Sequence, residues 1–312
     1  MQMTEIEEFR YPKRRPWLFL VLVAVAAFVF WMHRAGREET ERAAEPPAAS
    51  AEQPAAQAPR VSLPAHAGSD VDARDAVAAA RAAEAAGDLL GARKSYLAVL
   101  KSGVGGRMRI EAEEGLGRVN IPLVMSPRPM PEKIDVVVAR GDSLDKLAGQ
   151  YDTTIDLIRV GNGIENPNMI KAGDHLRILT GKFALTVSKS RNDVVLTLNG
   201  DFFKRYAVGT GKFGKTPSGT FTIVEKMKEP VWWRPGGGEV PYGHADNILG
   251  TRWMSLDATG DTPKARGYGI HGTWDNSTIG KAVSAGCIRL RNEDVEELYR
   301  LVPLGTPVTI LD

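Results

Sequence analysis

From Phe183 to the C-terminus, apolar side chains return at every second position, and that period dictates a strand-built domain. FALTVS (183–188), DVVLTLN (193–199), FKRYAVG (203–209) and GTFTIVEKM (219–227) all alternate, with Gly or Asn at their ends. Alternation sends neighbouring side chains to opposite faces, so one face of each strand can be buried while the other meets water. One segment breaks the rule. Asn292 followed by EDVEELYRLV has helical spacing, with Asn292 placed to cap the first turn and Glu293 and Asp294 suited to the helix dipole.

The chain ahead of this domain changes character several times. Pro16–Met32 carries no charged side chain and as a helix would span about 25 Å, near the lower limit for crossing a bilayer. Trp17 and Trp31 bracket it, and Arg10, Lys13, Arg14 and Arg15 outweigh Arg34 and Arg37, which Glu38 and Glu39 dilute. The expectation is a signal anchor at 16–32 with a cytoplasmic tail at 1–15 and the rest exported. The alternatives are a cleaved signal peptide, against which no small-x-small site follows the run, and a buried core helix. Residues 33–69, rich in Ala and Pro, read as a disordered linker. Residues 70–120 read as three helices, two broken near Gly87 and Asp88. The spacing of Ala83, Gly87, Ala92, Tyr96 and Leu100 is similar to a tetratricopeptide hairpin, leaving a protein-partner module and a plain spacer both open. Prolines 122, 127, 129 and 131 mark 121–133 as a stiff linker. With 40 basic against 38 acidic residues and no long basic run, nucleic acid is excluded as a partner.

Residues 134–180 read strand, helix, helix, strand. GDSL (141–144), the break at Tyr151–Thr154, Asn162 and the return NPNMIKAGDHL resemble the LysM carbohydrate-binding module. The resemblance implies a shallow groove for N-acetylglucosamine-containing glycan, with Gly141, Asp142, Ser143 and Leu144 on one lip and Asn168, Met169 and Ile170 on the other. The residues themselves also allow a helix N-cap at Asp142 and a core position at Leu144.

Chemistry concentrates in IHGTWDNSTIGKAVSAGCIRL (270–290). Cys287 is the only cysteine in the chain, so no intramolecular disulfide can use it. A thiolate is the attacking species, and His271, sixteen residues earlier, can take the proton. Gly272 and Gly286 leave room for a substrate carbonyl, and backbone N–H groups of the Ala285–Cys287 turn can face a developing oxyanion. Arg289 falls two residues beyond the cysteine, on its face of a strand, and can pair with a carboxylate or form a structural ion pair. Ser284 and Tyr268 complete the substrate-side candidates, Ser284 equally as a turn hydroxyl. His244 can line the cleft as a loop residue. The remaining histidines show no metal-ligand spacing, so neither metal nor cofactor is expected.

HGT followed by SxGCIR resembles the signature of the L,D-transpeptidase (YkuD-type) catalytic domain, and TPSGTF, NILGTRWMSL and GTPVTI extend the likeness over 182–312. Ala285 stands where many members carry a second histidine. The fold class that follows is multi-domain: a β-rich YkuD-like catalytic domain, a small βααβ LysM domain, a short all-α tetratricopeptide-like segment and one transmembrane helix. The resemblance implies a cysteine acyltransferase that crosslinks peptidoglycan stem peptides through a thioester and releases D-alanine. It also implies that the carbonyl of Gly272 orients His271, with Asp275 as the less favoured orienter, and that carbapenem-type lactams acylate the thiol. The rival readings are a carboxypeptidase or hydrolase using the same site and a non-catalytic wall-binding scaffold. The place implied is the cell envelope: one pass through the inner membrane, the later domains periplasmic.

Overall fold

The alternating segments build an eight-stranded mixed sheet in the order β13-β11-β10-β7-β14-β3-β4-β5. Its strands are β3 (Phe183–Ser188), β4 (Asp193–Leu198), β5 (Asp201–Ala207), β7 (Gly219–Lys228), β10 (Arg252–Ala258), β11 (Gly269–His271), β13 (Ile288–Arg289) and β14 (Pro307–Leu311). β14 lies parallel to β3 and β11 parallel to β13; the other pairs are antiparallel. Among the described residues three short pairs complete the strand set: β1 (Lys133–Val137) with β2 (His175–Leu179), β6 (Thr210–Gly211) with β12 (Ala282–Ser284), and β8 (Trp232–Trp233) with β9 (Glu239–Val240). This computed structural model describes residues 70–264 and 267–312. The expected cytoplasmic tail, membrane anchor and first linker, 1–69 together, lie outside the described residues. Among the described residues no helix is long and apolar enough to cross a membrane.

One sheet face is the core. Leu185, Val187, Leu196, Phe221, Ile223, Met254, Ile270 and Ile288 are buried there with Val295 and Leu298 of helix α6 (Asn292–Leu301). Each such side chain contributes roughly 1.5–3 kcal/mol. The start of α6 differs from expectation. The cap position falls to Arg291, which makes no side-chain capping bond, while Asn292 Oδ1 accepts the Thr251 N–H at 3.1 Å. A cross-strand donor has outcompeted the local one. At the other end Lys226 Nζ donates to the carbonyls of Tyr299 and Val302, both at 2.6 Å, where the helix dipole is negative. Burial holds the Lys226 pKa down to about 8.

The helices of 70–124 are α1 (Asp70–Ala85), α2 (Leu89–Lys101) and α3 (Gly106–Val124). Val77, Ala80, Ala92, Tyr96, Val99, Ala112, Leu116 and Val119 form their shared core. Glu84 on α1 ties the three together, accepting from Tyr96 OH at 2.8 Å and from Arg118 Nε at 2.8 Å. The bond from Arg118 is the main reason its carboxyl titrates below the ordinary range.

The linker expected at 121–133 is not a spacer. α3 continues through Pro122 to Val124, because Leu123 and Val124 bury in the sheet's core and exposed Pro122 forfeits a single helical bond. Met130 is buried too, Glu132 pairs with Arg93 at 2.6 Å, and Lys133 Nζ donates to the Leu123 and Ser126 carbonyls at 2.6 and 2.5 Å.

α3 covers β5, the last strand of the sheet, which would otherwise offer an open edge. Asn120, wholly buried, donates to the Phe203 carbonyl at 2.8 Å, and Arg205 reaches Glu113 at 2.8 Å. Replacing Asn120 by Ala should lower the unfolding free energy by about 1–3 kcal/mol, because the Phe203 carbonyl loses a buried donor. Chemical denaturation followed by tryptophan fluorescence measures it.

The small domain pairs β1 with β2, Ile134 opposite Ile178, and packs α4 (Leu144–Tyr151) and α5 (Ile155–Gly161) on them. Ser143 caps α4 by accepting the Lys146 N–H at 3.2 Å. The cap is therefore not Asp142, whose Oδ2 accepts the Ala139 N–H instead. Thr154 caps α5 and donates to the Arg300 carbonyl at 2.5 Å, fixing this domain to the end of α6. Leu157 and Leu179 enter the large core. The small domain is thus packed on the strand domain and not merely tethered to it.

Candidate active site

β11 and β13 bring the sequence-predicted chemistry together. Ile270 stands opposite Ile288 and His271 opposite Arg289. The two isoleucines, 0% and 1% exposed, point into the core, so alternation sends His271, Cys287 and Arg289 to the other face. Cys287 immediately precedes β13, one strand across from His271 and two residues out of register. Strands about 4.8 Å apart rising about 3.3 Å per residue put the two backbones roughly 8 Å apart, a gap that two convergent side chains can span.

His271 is buried, and its Nδ1 lies 2.6 Å from the Gly272 carbonyl. In the neutral ring Nδ1–H donates there, which leaves the Nε2 lone pair as a proton acceptor. Burial first, with the Arg289 guanidinium adding to it and the Gly272 and Leu249 backbone opposing, brings the imidazole pKa down to about 4. Trp253, opposite His271 on β10, stacks on the ring with centroids 5.8 Å apart and planes 29° apart. A Cβ at position 269 would stand 2.6 Å from the Trp253 ring, so Gly269 lets the indole lie across β11.

Cys287 is half-buried, and its Sγ–H faces the Gly267 carbonyl at 3.5 Å. Burial pushes the thiol up, opposed by the Gly269 backbone and by Arg289. The resting pair is therefore a neutral thiol beside a neutral imidazole, and charge separates only as the sulfur attacks.

The loop carrying the thiol is braced atom by atom. Ser284 Oγ donates to the Cys287 carbonyl at 2.7 Å and accepts the Gly286 N–H at 3.0 Å. Thr216 Oγ1 donates to the Gly286 carbonyl at 2.7 Å while accepting the Gly211 N–H at 2.7 Å. The Gly286 N–H expected at the oxyanion is thus already engaged. The Cys287 N–H has no acceptor among the described residues. Gly286 sits at φ +142°, and a Cβ there would stand 2.6 Å from Tyr268 Cε1, so Tyr268 packs over the residue before the nucleophile.

The other candidates fall as follows. Ser284, 1% exposed, is a loop brace, its hydroxyl engaged by the Cys287 carbonyl and the Gly286 N–H. Arg289 is half-buried, and its Nε has no partner among the described residues. Asp275 does not orient His271; its Oδ1 accepts from Ser277 N and Oγ at 3.0 and 2.6 Å. His244 is exposed and accepts the Asp246 N–H. In the small domain Leu144, 3% exposed, belongs to the core and not to a binding lip, and the Gly141 carbonyl accepts from Lys146 Nζ at 2.7 Å. Met169 is 65% exposed, Asn168 is exposed and Ile170 packs partly against the domain core.

Sequence reasoning missed Trp253 and Thr216. Both stand in segments noted for their resemblance, but the contacts that matter run between strands and loops distant in the chain. Removing the Ser284 hydroxyl should show what the brace is worth. Ser284→Ala strands the buried Gly286 N–H, costs about 1–3 kcal/mol of stability and slows thioester formation about tenfold, as read by thermal melts and intact-protein mass.

The family model for the L,D-transpeptidase catalytic domain matches residues 182–310, and that for the LysM domain residues 136–179. The putative L,D-transpeptidase YqjB of Bacillus subtilis (strain 168) is 38% identical over 135 residues, 43% of this chain and 74% of its own length. The putative L,D-transpeptidase YkuD of the same organism is 34% identical over 184 residues, 55% of this chain and 96% of its own. The X-ray structure of an L,D-transpeptidase from Mycobacterium tuberculosis H37Rv is 19% identical with a TM-score of 0.35, covering 46% of this chain and 64% of that one. On the two Bacillus relatives, matched over most of their lengths at more than 30% identity, the chain belongs to the L,D-transpeptidase (YkuD-type) family.

Proposed function

We propose that this chain is a peptidoglycan L,D-transpeptidase in which Cys287 is the nucleophile and His271 the base. The observation that carries the reading is His271 Nδ1 held 2.6 Å from the Gly272 carbonyl, on the same sheet face as a half-buried thiol. The Gly272 carbonyl selects the tautomer that a general base needs, without a carboxylate. As Sγ bonds to the stem-peptide carbonyl carbon, its proton passes to Nε2. The Cys287 N–H donates to the oxygen that becomes negative, worth roughly 3 kcal/mol. The C–N bond then breaks, Nε2 returns the proton to the departing D-alanine amine, and a thioester remains. A second stem's amine attacks the thioester, gives its proton to Nε2, and expels the thiolate, which takes that proton back.

Arg289 would hold a stem carboxylate, since its guanidinium lines the thiol's face, forms no close ion pair among the described residues and has a buried, unpartnered Nε. Tyr268 would lie against the substrate beside Gly286. In the LysM domain the exposed pair Asn168 and Met169 offers the glycan surface, with Asp142 and Ser143 shaping the facing turn. The run 16–32 would anchor the chain in the inner membrane with its catalytic domain in the periplasm. Docking of α3 on β5 favours a structural role for the helical segment over partner recruitment. The test is purified protein with a disaccharide tetrapeptide, its products read by mass. Crosslinked dimers are expected. Tripeptide alone would make the enzyme a carboxypeptidase, and unchanged substrate would leave a scaffold.

A further inference from the structure

The turn Lys212–Lys215, sequence KFGK, is not used by the mechanism above. Phe213 at its tip is 91% exposed, and its backbone stands at φ 54° and ψ 36°. A bulky side chain adopts that left-handed conformation only at a cost, and strain kept on a surface is a pointer to use. Here an aromatic ring is held out in water on strained backbone.

The turn also touches the nucleophile's loop. A Cβ on Gly211 would stand 2.9 Å from Gly286 Cα, and one on Gly286 would stand 3.2 Å from the Lys215 carbonyl. Thr216, at the end of the turn, donates to the Gly286 carbonyl. β6, which leads into the turn, pairs with β12, whose Val283 is 44% exposed, and the Thr210 N–H bonds to the Lys281 carbonyl at 3.0 Å. Lys212, Lys215 and Lys281 are all exposed, and none forms a close ion pair among the described residues, although the Lys281 charge is felt at Asp275. Two acids border this surface and both are engaged: Asp275 accepts from Ser277, and Asp312 accepts from Ser218 and pairs with Lys189. The surface beside the Cys287 loop is therefore positive, with an apolar tip.

A transpeptidase needs a second subsite beside its thioester, and wall stem peptides carry several carboxylates. Resting on the proposed transpeptidase reading, we infer that the Lys212–Lys215 turn with Lys281 docks the acceptor: an anionic stem peptide whose amine resolves the thioester on Cys287. The lysines pair with its carboxylates, and Phe213 covers its apolar backbone. Arg289, on the thiol's own strand face, serves the donor.

The test uses the full chain with a disaccharide tetrapeptide as donor and a disaccharide tripeptide, which has no D-alanine to lose, as acceptor. Thioester formation is read by intact-protein mass and the dimer-to-hydrolysed-donor ratio by product mass. In Lys212→Glu/Lys215→Glu the ratio should fall about tenfold through a raised acceptor KM, and its dependence on salt should flatten. Phe213→Gly should raise the melting temperature by relieving the backbone while lowering the same ratio about threefold. An unchanged ratio overturns the inference, as does an equal fall in thioester formation, which would make the turn a donor site. Absence of thioester in the unsubstituted protein, seen before any variant is made, sinks the transpeptidase reading itself.

Discussion

Cys287→Ala should form neither thioester nor crosslink while melting close to the unsubstituted protein. The thiol's hydrogen bond to the Gly267 carbonyl is long, 3.5 Å, and the side chain is half-buried, so its removal costs the fold little. Cys287→Ser should fall nearly as far, and that distinction tests the mechanism. A base whose conjugate acid titrates near 4 is weak. It can take a proton from sulfur as attack proceeds, but a serine hydroxyl is far less acidic and gains almost nothing from it. His271→Asn keeps an N–H for the Gly272 carbonyl but removes the Nε2 lone pair, and should lower acylation about 10³-fold. The measurement is the rate of thioester appearance by intact-protein mass under single-turnover conditions. Turnover surviving in Cys287→Ala would mean that another group attacks, and the assignment would fall.

Strand alternation from Phe183 onward made the β-domain legible, because each strand buries one face and leaves its period in the residues. The histidine and cysteine were legible for a different reason: a lone thiol among glycines, with an imidazole in the same short run, has few structural uses. What stayed hidden was set by partners far away in the chain. Pro122 reads as a helix stop, yet Leu123 and Val124 keep the helix going because the sheet's core receives them. Asn292 reads as a cap, yet Thr251 across the domain claims its oxygen. Trp253 and Thr216 have no local signal for their roles. One owes its place to cross-strand register with His271 and the other to a carbonyl seventy residues away. The packing of the small domain on the strand domain was hidden for the same reason, resting on Thr154 at the end of α6 and Leu157 in the shared core. A glycan held by the small domain then sits at a fixed relation to the thiol. On the proposed reading, geometry as well as raised local concentration then sets which stem is delivered.

The same burial that keeps His271 neutral makes the fold sensitive to mild acid. The imidazole titrates near 6.5 in the unfolded chain and near 4 when folded. Between those values the unfolded chain holds a proton that the native protein excludes, so native stability falls as pH drops through this window and levels off below it. The loss is roughly 3 kcal/mol, a large share of a domain's stability. His271→Asn has no such proton. Comparing urea unfolding of the two proteins at pH 7 and pH 4 should therefore show the gap between them shifting by that amount in favour of the variant. Acidic groups held low by their partners, such as Glu84, lose their contributions nearer pH 4 and below, but they do so in both proteins and cancel. Buried Lys226, near 8, titrates outside the window. Catalysis should show the other side of the same fact. A base still free at pH 5 keeps acylation nearly level from pH 5 to 8, whereas an ordinary histidine would halve it near 6.5. An imidazole NMR titration with its midpoint near 6.5, or a pH–rate profile that breaks there, would show His271 open to water and remove the physical reason given for a neutral resting pair.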